Sequence, residues 1–72
     1  MIESEYKEND SELIRVYYDI YMYSLVMDIM SIEECEAFLV FLEEQESYLE
    51  CAGVFKAIER YKDIKIYDLL NR

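Results

Sequence analysis

An all-α fold is what this sequence predicts, and three observations carry the prediction. Proline is absent and Gly53 is the only glycine in 72 residues, so hairpin turns, glycine-rich phosphate loops and flexible linkers lack their usual residues. Two S-x-x-E capping boxes, Ser31 with Glu34 and Ser47 with Glu50, mark two helix starts. Between them Ile32, Cys35, Phe38, Leu39 and Leu42 recur at helical spacing. The expected architecture is a small three-to-four-helix domain with a central antiparallel helical hairpin, across which the first helix packs.

Taken in order, residues 1–9 are polar and are expected to form a flexible acidic N-terminus, with residues 10–72 as a single helical domain. Asp10 and Ser11 suit the N-cap of a first helix running to about Met30, with Glu12 near the positive end of its dipole. The tyrosines, valines and isoleucines of Val16–Met30 also suit a strand. Fifteen residues without a turn signal exceed an ordinary strand, and Met22, Leu25, Met27 and Met30 are good helix formers. On that helix Glu12, Arg15 and Asp19 share a solvated stripe, which continues into Met22, Tyr23 and Val26. Tyr17 and Tyr21, with Leu13, Ile20 and Ser24 nearby, read as core.

The second capping box opens a third helix from Tyr48 to about Tyr61 that buries Cys51, Ala52, Phe55 and Ile58. Its Ala52–Gly53 pair lets a neighbouring backbone come close. Asp63 is placed to cap a short fourth helix containing Ile64, Tyr67, Leu69 and Leu70, while the alternation of Ile64 and Ile66 leaves a short strand open.

The segment 42–58 (LEEQESYLECAGVFKAI) has an acidic helix end, Tyr48 at an aromatic turn position, the small pair Cys51 and Ala52, then Val54 and Ile58 at apolar positions. In these residues it resembles the UVR motif, a helical hairpin of nucleotide-excision repair proteins and Clp protease regulators. It departs from the motif at Phe55 and Lys56, where Arg-Asp is usual. The resemblance implies an antiparallel hairpin and a role in protein–protein association.

Charge is polarised along the chain. Residues 1–50 carry 14 acids against Lys7 and Arg15, a net −12, whereas residues 51–72 carry three acids against five bases, a net +2. The total of −10 repels nucleic-acid backbone and anionic lipid. Direct nucleic-acid binding is therefore not expected. No segment is both long and apolar enough to span a membrane, and the N-terminus lacks the basic and apolar regions of a signal peptide. A reduced, cytoplasmic setting also suits Cys35 and Cys51, which fall on apolar helix faces and read as free, buried thiols.

Enzymatic chemistry lacks its parts. Histidine is absent, neither Ser-Lys nor Cys-His pairing occurs, and loop glycines are missing, so the chain is not expected to be an enzyme. No metal site or cofactor is expected, since two cysteines alone cannot complete a zinc site and no Glu-x-x-His or calcium-loop pattern occurs.

The candidate residues are therefore those of partner binding. At 54% hydrophobic residues, a domain this short cannot surround all its apolar side chains, which leaves some for a partner. Met22, Tyr23 and Val26 have the composition of an interface centre. Glu33, Glu36, Glu43, Glu44 and Glu50 belong to a run from 33 to 50 without a single Lys or Arg, and could stand in for phosphates on a basic groove or simply form a solvated face. The expected function is a small acidic factor that inhibits or modulates a larger cytosolic protein, including a nucleic-acid-binding one. A phage-encoded inhibitor, anti-CRISPR-like or a DNA mimic, fits the size and charge. The alternative is a self-associating structural, assembly or regulatory module, and a homodimer is the expected homo-oligomer.

Overall fold

The computed structural model describes residues 8–71, which form three α-helices: α1 (Glu8–Val26), α2 (Ile32–Glu44) and α3 (Tyr48–Leu70). The domain is all-α, with no strand among the described residues. Of the expected flexible segment, residues 1–7 lie outside the described residues, whereas Glu8 and Asn9 are helical. Asp10 and Ser11 thus sit inside α1 and do not cap it. No glycine or proline stops the helix there, and Asp10 and Glu12 favour the positive end of its dipole.

The two interhelical turns share a device that the sequence does not advertise. α1 ends at Val26, short of Met30, because Asp28 turns to φ 62°. The Asp28 N–H bonds the Leu25 carbonyl at 3.1 Å and the Ile29 N–H bonds the Ser24 carbonyl at 2.8 Å, the paired bonds of a Schellman motif. At the end of α2, Glu46 has φ 59°. Its N–H bonds the Glu43 carbonyl and the Ser47 N–H bonds the Leu42 carbonyl, each at 3.0 Å. Glycine usually fills this left-handed position, and two acids fill it here.

Of the capping boxes, the first is complete. Ser31 Oγ accepts from the Glu34 N–H at 3.1 Å, and the Ser31 N–H donates to Glu34 Oε1 at 2.9 Å. Ser47 is the N-cap of α3 but its side chain makes no capping bond. Glu50 is engaged elsewhere: it accepts the Tyr21 hydroxyl proton at 2.8 Å, which ties α1 to α3.

α3 runs unbroken through Asp63, so neither the short fourth helix nor the strand forms. Nothing in Lys62–Leu70 breaks a helix, and the Lys65 ammonium lies 5.5 Å from the Tyr61 ring centroid one turn back. Every described residue beyond Lys62 is exposed, so the last turns of α3 project past the packing.

α2 and α3 form the expected hairpin, but the most extensive packing is between α1 and α3, while α1 and α2 touch little. Gly53 explains this. A Cβ there would lie 2.5 Å from Tyr17 Cβ and 2.9 Å from both the Ile14 carbonyl oxygen and the Tyr18 nitrogen, so the α1 backbone rests directly on α3. With Tyr21 bonded to Glu50 and Tyr17 over Gly53, the two helices run antiparallel. The core contains Tyr21, Leu25, Cys35, Leu42, Cys51, Val54, Ala57 and Ile58, and no charged residue is buried among the described residues. Phe55, expected inside, is exposed, because Val54, Ala57 and Ile58 take the inward positions.

Candidate interaction surface

α1 is apolar on two opposite faces, and Gly53 selects the one that turns inward. Ile14, Tyr18, Tyr21 and Leu25 share the face toward α3, on which Tyr21 and Leu25 are buried. On the far side Leu13, Val16, Ile20, Tyr23 and Met27 are between 41% and 61% exposed. Their spacing alternates three and four residues, which places them in one line along the helix. Met27 extends the line past the last assigned residue, its N–H still bonded to the Tyr23 carbonyl at 2.9 Å.

The sequence-predicted trio is divided by this arrangement. Tyr23 and Val26 are exposed, as the stripe implied, but Met22 is half-buried and packs against the core. Leu13 and Ile20, read as core, are instead exposed members of the outer line. The repeat 13-16-20-23-27 was legible in the sequence. It was obscured because the inner face carries an equally apolar repeat, and only the crossing at Gly53 tells them apart.

Charges border this line. Glu12 and Asp19 follow one edge and Asp10 the other, and Arg15 is the only base in α1. Arg15 meets Asp19 at 3.6 Å, with both side chains well exposed, so the pair is weak and exchangeable. A second apolar region lies where Ile29 and Met30 meet Ala37, Phe38 and Phe41 of α2, with Glu34 beside it. Phe38 stacks on Phe41 with ring centroids 5.7 Å apart, and Ile29 and Phe41 remain exposed.

The five candidate carboxylates do not share one face. Glu33, Glu36, Glu43 and Glu44 project within roughly 100° of one another on the outside of α2, and all are exposed. Val40 stands in the middle of that arc, about half exposed. Glu36 pairs across the hairpin with Lys62 at 3.3 Å, so part of the compensation absent along the helix comes from α3. Glu50 is half-buried and held by Tyr21.

The two thiols are free and buried. Cys51 donates to the Leu39 carbonyl at 3.8 Å. Burial pushes both thiols above the ordinary range, with Glu34 and Glu36 adding to the effect at Cys35 and Glu43 and Glu50 at Cys51. Such thiols are poor nucleophiles. Burial also raises the Tyr21 phenol, reinforced by its bond to Glu50. Among the described residues no three His, Cys, Asp or Glu side chains gather as a metal-binding group, and no helix is long and apolar enough to cross a membrane.

Comparison of the chain with protein-family models, curated proteins and solved structures finds no match.

Proposed function

We propose that this chain is a small acidic protein-binding factor that modulates a larger protein by occupying one of its surfaces, with the outer face of α1 as the contact. One observation carries the reading: Leu13, Val16, Ile20, Tyr23 and Met27 stand exposed in a single line on a helix whose other face is already committed to the core. A contiguous apolar line of this kind, bordered by charge, marks interaction sites on small soluble domains.

Phosphate mimicry by α2 is the second reading, favoured by the exposure of Glu33, Glu43 and Glu44 on a helix without a base. Val40 within the arc and the Lys62 pairing of Glu36 make that face a poorer copy of a phosphate row. Affinity capture with wild type, Tyr23→Glu with Val26→Glu, and Glu33→Lys with Glu43→Lys and Glu44→Lys separates the two. The α1 reading expects loss of the captured protein with the first variant only. Loss with the second variant only transfers recognition to α2.

A further inference from the structure

We infer that the occupant of the α1 outer face is an amphipathic helix with a basic flank, an inference that rests on the binding role proposed for that face. The geometry sets the shape of the partner. Leu13, Val16, Ile20, Tyr23 and Met27 alternate by three and four residues, the spacing at which one helix lays its side chains between those of another. From Leu13 to Met27 the line rises about 21 Å at 1.5 Å per residue, so a partner helix of about four turns covers it. Tyr23 offers a large, stiff contact, and Met27 adapts to irregular neighbours.

Charge sets the partner's chemistry. Glu12 and Asp19 border one edge of the line, and Arg15, the one base of α1, is held there by an exposed pair with Asp19. Lysines or arginines flanking an apolar stripe would meet these carboxylates across the contact. The net charge of −10 would also draw such a helix in from a distance. A second copy of the chain matches the apolar line equally well but brings its own Glu12, Asp19 and another −10, so like charge opposes the self-pair. Specificity on this face therefore comes from the charged flank and affinity from the line.

The test uses the full chain and three synthetic peptides of about 18 residues, a length that spans the line: leucines at three-four spacing with lysine elsewhere, the same pattern with glutamate for lysine, and a scrambled lysine–leucine sequence. Titration calorimetry at physiological ionic strength is expected to show the patterned basic helix binding at least about tenfold more tightly than the other two peptides. Ile20→Ser with Tyr23→Ser should weaken it by about tenfold or more, whereas Glu33→Gln with Glu43→Gln and Glu44→Gln should leave it within about threefold. Because Ile20, Tyr23, Glu33, Glu43 and Glu44 are all exposed, circular dichroism should show both variants folded.

Equal affinity for the scrambled peptide, or no loss in the Ile20→Ser/Tyr23→Ser variant, reduces binding to non-specific attraction and overturns the inference. Sedimentation that finds a wild-type dimer, dissociated by the same variant and unmoved by the basic peptide, gives the face to a second copy: the binding role of α1 stands and the basic partner falls. A capture experiment indifferent to Tyr23→Glu, by contrast, removes the α1 face itself.

Discussion

Replacing Gly53 by alanine should destabilise this protein, although helix propensity alone predicts the reverse. Gly53 lies in the first third of α3 with an ordinary helical backbone, no positive φ being recorded for it. In an isolated helix the change to Ala would stabilise by about 1 kcal/mol. Here the new methyl group would lie 2.5 Å from Tyr17 Cβ and 2.9 Å from two backbone atoms of α1, the Ile14 oxygen and the Tyr18 nitrogen. Backbone cannot rotate aside as a side chain does, so α1 must retreat along its whole contact with α3. Overpacking a close-packed core costs about 1–3 kcal/mol when side chains can adjust, and an obstruction of two helix backbones falls at or above the upper end. Subtracting the propensity gain leaves a net loss of about 2 kcal/mol. In a domain of this size that corresponds to a fall in Tm of roughly 8–16 °C. Urea unfolding followed by circular dichroism measures it directly. A variant as stable as wild type, or more so, refutes the close crossing and with it the assignment of inner and outer faces on α1.

Three further outcomes follow from the same contacts. Ser31→Ala should cost about 1 kcal/mol in chemical denaturation, while Ser47→Ala should cost little, since only Ser31 makes a side-chain capping bond; equal losses would contradict the two cap geometries. Glycine at Glu46 should stabilise by about 1 kcal/mol by relieving the left-handed backbone at φ 59°, and at Asp28 by less, because aspartate tolerates that region; a loss of stability at both positions would rule out the turns described. The Tyr21 phenol, raised by burial and by Glu50, contributes stability that is complete below the ordinary tyrosine value near 10 and is lost as pH climbs above it. Tyr21→Phe should therefore flatten the alkaline limb of a stability–pH curve, and an unchanged limb would show that Tyr21 is not held as described.

What was legible in the sequence depended on whether a residue's role is local. Ser31 and Glu34 needed only each other, and their capping box forms as read. Gly53 signals a close backbone approach wherever it sits in a helix, and that approach exists. Ser47 and Glu50 show the limit: the motif marks the right boundary, but a tertiary partner, Tyr21, takes the glutamate. The end of α1 was hidden because an acid, not glycine, holds the left-handed position at Asp28. Ile20 and Met22 were misplaced for a different reason. A helix apolar on two faces does not specify which one is buried, and that choice is made by the residue opposite it on α3.

α1 buries one apolar face against α3, and the proposed contact with a partner helix uses the other. Two-dimensional 1H–15N spectra of the full chain, titrated with the patterned lysine–leucine peptide, test it residue by residue. Amide shifts are expected to concentrate between Leu13 and Met27, while the exposed carboxylate arc of α2 from Glu33 to Glu44 stays largely unmoved. Shifts confined to Glu33–Glu44, with Val16, Ile20 and Tyr23 unaffected, would contradict it.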